Sequence, residues 1–328
     1  MTKAGPMKLN RLGDTGVRLS RLGLGTLPFG TDLDEPAAAE VLDHCLELGV
    51  NHVDCADIYS GGRAETVLGS LLRTRRDRVV LASKVSFPTG PGANEGGSSR
   101  LHLTRAVEAS LRRLQTDRLD ICYLHRFDGR VSIDEQFRTL DDLVRAGKIV
   151  YPAVSNFAAW QLAIALGRCE LRGWVRPALL QPMYNLCKRQ AEVELFPLAA
   201  HEQLGVICYG PLAGGVLSGK YLDAGATGRF VTDPMYLARY RSIDAHTVAA
   251  GLAALAREAG HHPATLAVAW AASHPAVTSV LVGGRSLEQL QPSLAAADLV
   301  LDGDLLAAIS ALTPQPAPAN DRDEERRD

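Results

Sequence analysis

Asp54, Tyr59, Lys84 and His125 supply a carboxylate, a phenol, an amine and an imidazole to a chain of 328 residues. Brought together, these four groups form a device for moving a proton. A free phenol, with a pKa of about 10, is a poor donor–acceptor at neutral pH. An ammonium about 4 Å away contributes on the order of 4 kcal/mol at an effective dielectric of about 20. That is about three pKa units, enough to bring the phenol near 7. On this reading Lys84 tunes Tyr59, Asp54 holds and orients Lys84, and His125 directs the oxygen that receives the proton. Taken singly, each has a plainer reading: Asp54 as a helix cap, Lys84 as a solvated surface group, His125 as a core histidine satisfied by Asp128. Where the chain places them decides between the two.

Short apolar runs alternate with amphipathic segments along almost the whole chain. The runs predict strands at Leu22–Gly25, His52–Cys55, Val79–Ser83, Leu119–Leu124, Ile149–Ser155, Ala178–Gln181, Val206–Tyr209 and Ser279–Val282. Helical periodicity covers Pro36–Leu48, Ala64–Leu72, Thr104–Leu114, Ile133–Ala146, Ala158–Leu166, Val193–His201, Ala245–Ala259, Pro263–Ser273 and Asp304–Leu312. On the Thr104–Leu114 helix, Leu103, Val107, Leu111 and Leu114 form the apolar stripe, and Arg105, Arg112 and Arg113 face away. Strands followed by helices through short connections require right-handed crossovers and a parallel sheet. Eight such units favour an α/β fold closed as a (β/α)8 TIM barrel over an open doubly wound sheet. No G-x-G-x-x-G follows the first of them, which weakens the dinucleotide-fold alternative. Ahead of it, Leu9–Leu12, the turn Gly13–Gly16 and Val17–Leu22 read as a hairpin that could close the barrel bottom. The Gly-rich stretch between Tyr209 and Asp244 reads as a long functional loop.

In such a barrel the active site lies where the strands end at their C-terminal face. The polar residues at the predicted strand ends are Asp54, Lys84, His125, Asn156, Gln181, Tyr209 and the Gly283-Gly284-Arg285 turn, with Tyr59 in the loop after Asp54. One apolar rim would therefore hold the acid, the amine, the phenol and the imidazole at once.

The segments V-D-C-A-D-I-Y, A-S-K and Y-L-H-R-F-D around these residues resemble the aldo-keto reductase family. R-A-G-K-I-V-Y-P-A-V-S-N-F, Q-P-M-Y-N-L and G-G-R-S-L-E-Q-L extend the likeness, particularly to the branch near potassium-channel β subunits and their bacterial relatives. The resemblance runs from about Leu9 to Leu312 and implies a catalytic tetrad of Asp54, Tyr59, Lys84 and His125, with Tyr59 as proton donor. It implies hydride transfer from a nicotinamide to an aldehyde or ketone, whose developing oxyanion must be protonated as it forms. His125, where enone-reducing members carry Glu, implies carbonyl–alcohol interconversion rather than C=C reduction.

The same resemblance implies a cofactor site. Ser155, Asn156 and Gln181 would hydrogen-bond the carboxamide, since Asn and Gln offer both donor and acceptor to a primary amide. Tyr209 would stack on the nicotinamide ring, and the Gly214-Gly215 loop, with Leu212, Leu217, Ser218 and Lys220, would lie over the pyrophosphate. Ser286 and Gln289 make a capping box, so both have a structural reading. A helix N-terminus preceded by Arg is also an anion site. The resemblance assigns Arg285, beside Gly283, to a 2′-phosphate and Gln289 to the adenosine, which favours NADP(H). Three positions depart from the family pattern: Ser60 stands for a usual Gly, Gly210 for a frequent Ser, and Ser293 for a usual Asn. Apolar pocket walls are expected from Leu27–Phe29, the 87–101 loop, Phe127, Phe157, Trp160 and Phe230–Tyr240.

Composition bounds the rest. With 35 Lys+Arg against 37 Asp+Glu, the net charge of -2 argues against a nucleic-acid surface. No run of about 18 apolar residues and no signal-peptide pattern is present, so a cytoplasmic protein without a membrane partner is expected. Six single cysteines without a C-x-x-C pair read as reduced structural thiols and give metal catalysis little support. The barrel is expected to fill residues 1–312, with 313–328 as a disordered tail. Its partner would be a small-molecule carbonyl substrate. The alternatives are a sugar-nucleotide ketoreductase of a biosynthetic pathway and a cofactor-binding redox-sensing subunit with little turnover.

Overall fold

Residues 119–124 read Leu-Asp-Ile-Cys-Tyr-Leu, and all but Asp120 are buried, as a parallel strand covered on both faces requires. A computed structural model of the protein describes residues 7–223, 225–320 and 322. Two strands, β1 (Leu9–Arg11) and β2 (Arg18–Ser20), form an antiparallel hairpin. The other eight close into a parallel barrel: β3 (Leu22–Gly25), β4 (His52–Asp54), β5 (Val80–Val85), β6 (Leu119–Leu124), β7 (Ile149–Ser155), β8 (Leu179–Gln181), β9 (Gly205–Cys208) and β10 (Ser279–Val282). They pair in sequence order, and β10 returns to β3. The (β/α)8 TIM barrel expected from the alternation is the fold.

The helices are α1 (Glu35–Glu47), α2 (Arg63–Leu72), α3 (Arg100–Leu114), α4 (Ile133–Arg145), α5 (Ala159–Arg172), α6 (Leu195–His201), α7 (Arg229–Thr232), α8 (Pro234–Tyr240), α9 (Ala245–Glu258), α10 (Pro263–Ser273), α11 (Leu287–Leu294) and α12 (Gly303–Ser310). Local chemistry sets their starts. Asp34 caps α1 ahead of Pro36, and the Ser99, Ser132 and Ser286 side chains accept first-turn N–H bonds in α3, α4 and α11. The long Gly-rich stretch is not all loop: it contains α7 and α8, which local turn residues concealed. Arg113 does not face away from the core either. It pairs with the fully buried Glu65 of α2 at 2.7 Å, because α2 packs against that side of α3.

The hairpin fills the barrel floor as expected. Leu12 and Leu19 are fully buried in a cluster with Ala82, Ile121, Tyr123, Leu179, Ile207 and Leu281. A second, larger cluster lies between barrel and helices. All six cysteines are free and buried. Among the described residues no helix is long and apolar enough to cross a membrane. At the C-terminus, Thr313 is buried and its carbonyl accepts a bond from Arg189 at 3.3 Å. Pro314–Pro318 carry no helix or strand. Of the expected tail, residues 321 and 323–328 lie outside the described residues.

Candidate active site

Strand β5 runs two residues further than its apolar pattern predicts, to Val85, so Lys84 lies within the ladder opposite Tyr123 of β6. That register puts a lysine inside the barrel, 1% exposed, where an unpaired ammonium would be prohibitively costly. It is paired. Lys84 Nζ forms a charge-assisted bond to Asp54 Oδ1 and donates to the Cys55 carbonyl at 2.9 Å and Tyr59 Oη at 3.2 Å. Burial disfavours the ammonium, but Asp54 and Tyr59 outweigh it and hold Lys84 above the ordinary lysine range. Asp54 ends β4, and its other carboxylate oxygen accepts from Gln181 Nε2 at 2.9 Å. Thr26 Oγ1 donates to the Asp54 carbonyl at 2.9 Å, tying β3 to the same point.

Tyr59 begins a one-turn 3-10 segment after β4, with Lys84 Nζ 4.9 Å from its ring centroid. The following Ser60 adopts φ 54°, ψ 30°, a left-handed conformation that favours Gly. Its hydroxyl compensates by donating to the Phe29 carbonyl at 2.9 Å. The expected neighbourhood of Lys84 and Tyr59 is present, but the expected acidification is not. Burial pushes the Tyr59 phenol up to about 12, with Lys84 opposing and Asp54 reinforcing the rise. The simple Coulomb argument omitted burial, the largest influence, and the Asp54 carboxylate, whose charge opposes that of the ammonium.

His125 follows β6, edge-on to Tyr59 (ring centroids 6.1 Å) and to Phe87 (4.7 Å). Burial, then Lys84 and Arg126, lower its pKa to about 3, so the imidazole is neutral. Its Nδ1 is buried without a partner among the described residues. Asp128 does not satisfy it; that carboxylate accepts from Ser98 N at 3.0 Å, Arg130 N at 3.1 Å and Arg130 Nε at 3.3 Å. The plainer reading of His125 therefore fails. Asp54, Lys84 and His125 at the strand ends and Tyr59 in the loop after Asp54 converge, as their places along the chain predicted.

The residues expected around a cofactor fall into two groups. Ser155 Oγ donates to the Gln181 carbonyl at 2.9 Å. Asn156 Nδ2 donates to the His125 carbonyl at 2.9 Å and to Ser155 Oγ at 3.1 Å, and Asn156 Oδ1 accepts from Tyr209 Oη at 2.6 Å. These amides already hold the tetrad and each other. At the far side, Gly214 has φ 74°, and a Cβ there would stand 2.6 Å from the Tyr236 ring. Leu212 is half-buried at the start of that turn, and the Lys220 ammonium lies 4.6 Å from the Tyr221 ring centroid. A Cβ on Gly283 would meet the Gly25 carbonyl at 3.0 Å, so the backbone after β10 stays bare. Gln289 spends its side-chain carbonyl on the Arg285 N–H at 2.8 Å, a capping role. The Arg285 guanidinium meets Asp32 at 3.3 Å, both exposed. Bare glycine backbone flanked by Lys220 and Arg285, with amides and a phenol towards the tetrad, fits a phosphate-bearing group with a carboxamide head.

Of the expected pocket walls, Phe29 is fully buried in the core, whereas Leu27 is 42% exposed. Phe127 contacts Phe157 and Trp160 edge-on. Two residues escaped the sequence reading. Asp57 is buried with both carboxylate oxygens lacking a partner among the described residues, and burial, reinforced by Glu65, raises it to about 8. Asp32 engages Arg285. The second Asp of V-D-C-A-D-I-Y was visible, but nothing local distinguishes it from a solvated loop acid.

A model of the aldo/keto reductase family matches residues 21–314. The chain is 35% identical over 322 residues to the oxidoreductase YrpG of Bacillus subtilis, covering 94% of this chain and 97% of that protein. A probable voltage-gated potassium channel subunit beta of Arabidopsis thaliana is 36% identical over 304 residues, covering 90% and 92% respectively. The human aldo-keto reductase family 7 member A3 is 35% identical over 305 residues, covering 84% and 88%.

Proposed function

The chain belongs to the aldo/keto reductase family, and on that premise we propose that it is an NADPH-dependent oxidoreductase that reduces an aldehyde or ketone to the alcohol. The observation that carries the reading is Lys84 bonded at once to Asp54 and Tyr59, with neutral His125 across the Tyr59 ring. When bound, the nicotinamide supplies hydride to the carbonyl carbon. Ser155, Asn156, Gln181 and Tyr209 hold its head, exchanging some of their present hydrogen bonds to do so. Gly214, Lys220 and Gly283 would line the phosphates with Leu212, and Arg285 and Gln289 would hold the adenosine end, with Arg285 giving up Asp32 for a 2′-phosphate.

Tyr59 and His125 both reach the carbonyl oxygen. At neutral pH Tyr59 is fully protonated, so the donor is loaded before substrate arrives. An alkoxide is a far stronger base than a phenolate, so the proton passes from Tyr59 Oη to the nascent alcohol despite the raised phenol pKa. Lys84 then stabilises the phenolate left behind, and Asp54 keeps Lys84 in place. His125, neutral, orients the oxygen without competing as the acid.

A panel of aldehydes and ketones, including 4-nitrobenzaldehyde, with NADPH consumption as the readout tests this assignment. Turnover of several members is expected. A protein that binds NADPH tightly yet reduces nothing across the panel would overturn the reductase in favour of a cofactor-binding subunit. A protein that turns over only sugar-nucleotide ketones would select the biosynthetic alternative.

A further inference from the structure

Seven arginines of the described chain are half-buried: Arg75, Arg76, Arg113, Arg118, Arg126, Arg189 and Arg239. Five of them meet a carboxylate, on Asp43, Asp120, Glu65, Asp117 and Glu192 respectively for Arg75, Arg76, Arg113, Arg118 and Arg189. The two that meet none among the described residues, Arg126 and Arg239, both stand at the barrel mouth. Arg126 directly follows His125, and its Cζ lies 4.4 Å from the Phe87 ring centroid. Phe87 in turn abuts His125 at 4.7 Å, so guanidinium and imidazole share one phenyl ring. The field of Arg126 reaches the imidazole and that of Arg239 reaches Tyr209. Stacking on Phe87 satisfies one face of a guanidinium and none of its five N–H donors. Withdrawing such a group partly from water without a partner is unfavourable, and elsewhere this chain avoids it.

We propose that Arg126 is a specificity-determining residue: it binds an anionic substituent, carboxylate or phosphate, on the carbonyl substrate, placed across the Phe87 ring from the reacting carbon. The inference rests on the reductase reading for turnover, but the anion site can be tested without it. A planar guanidinium offers two parallel N–H bonds to either anion, and such bonds are stronger than neutral ones. The hydride transfer and the Tyr59 proton are unchanged; Arg126 contributes only to binding and aim.

The test compares matched substrates with NADPH: 4-carboxybenzaldehyde against methyl 4-formylbenzoate, and glyceraldehyde 3-phosphate against glyceraldehyde. In the wild type the charged member of at least one pair should lead in kcat/KM by about tenfold or more. Which pair shows it distinguishes carboxylate from phosphate. Arg126→Ala should collapse that ratio towards one through KM, and Arg126→Lys should restore part of it. A wild-type ratio at or below one in both pairs, or a ratio that Arg126→Ala leaves intact, overturns the proposal; so does equal loss of both members of a pair. Should no carbonyl be turned over, the reductase reading falls by itself. Calorimetric titration of benzoate and inorganic phosphate into the NADP+-saturated protein then decides the anion site. Binding that disappears in Arg126→Ala supports it, and equal or absent binding in both proteins overturns it.

Discussion

The β4–β6 side of the barrel mouth and the β9–β10 side are built on opposite principles. On the first, Lys84 and Asp54 are almost wholly buried and bonded to each other, and Gln181 reaches across from β8 to donate to the same carboxylate. On the second, Lys220 and Arg285 are exposed, and the contact that Arg285 makes is a surface ion pair with Asp32. Reaction chemistry needs groups fixed before the substrate arrives, so its residues are desolvated and mutually locked. Ligand capture needs groups that can exchange partners cheaply, and exposed ion pairs contribute only about 0–1 kcal/mol. Substitutions on the first side should therefore change rates without changing affinity, and those on the second should do the reverse.

Tyr59→Phe is the severest test of that division. It keeps the ring against Lys84 and removes the proton, so reduction should fall at least about 100-fold while quenching of NADPH fluorescence persists. Unchanged turnover would remove Tyr59 as donor. The pH dependence comes next. A phenol near 12 is protonated throughout the neutral range, so reduction should carry no Tyr59 inflection between about pH 6 and 9. Alcohol oxidation needs the phenolate, whose fraction rises about tenfold per pH unit below the pKa, and should climb accordingly. An inflection near 7 in both directions would mean that the bound cofactor restores the acidified phenol. On the other side, Arg285→Ala should weaken NADPH by about tenfold with little effect on NADH. Equal loss for both nucleotides would contradict the 2′-phosphate role. The smallest effect is expected from Asp32→Asn, which frees Arg285 and should tighten NADPH by about two- to threefold; weaker binding would show that Asp32 positions the guanidinium rather than competing for it.

The two sides also differ in how far they were legible in the sequence. Asp54, Lys84 and His125 each follow or end an apolar run, so the strand pattern alone delivers them to one rim. Tyr59 needs only the short loop after β4. The cofactor side depends on α7 and α8, whose turn-rich sequence looks like loop, and on glycines whose value is the absence of a side chain. Asp57 and Asp32 were invisible as participants because an acid in a loop looks the same whether it is solvated, buried or paired across space.

The alternation of apolar runs and amphipathic helices determined the barrel, the hairpin floor and the order of residues around the rim, since period and burial are local consequences of composition. Tertiary packing decided the electrostatics. Whether Lys84 acidifies Tyr59 depends on how much water the barrel excludes and on the Asp54 carboxylate that shares the same ammonium. It reversed the expected direction of the phenol, left His125 neutral, and left Arg126 beside the site without a carboxylate among the described residues. Charge interactions vary with distance and dielectric, and neither is written along a chain.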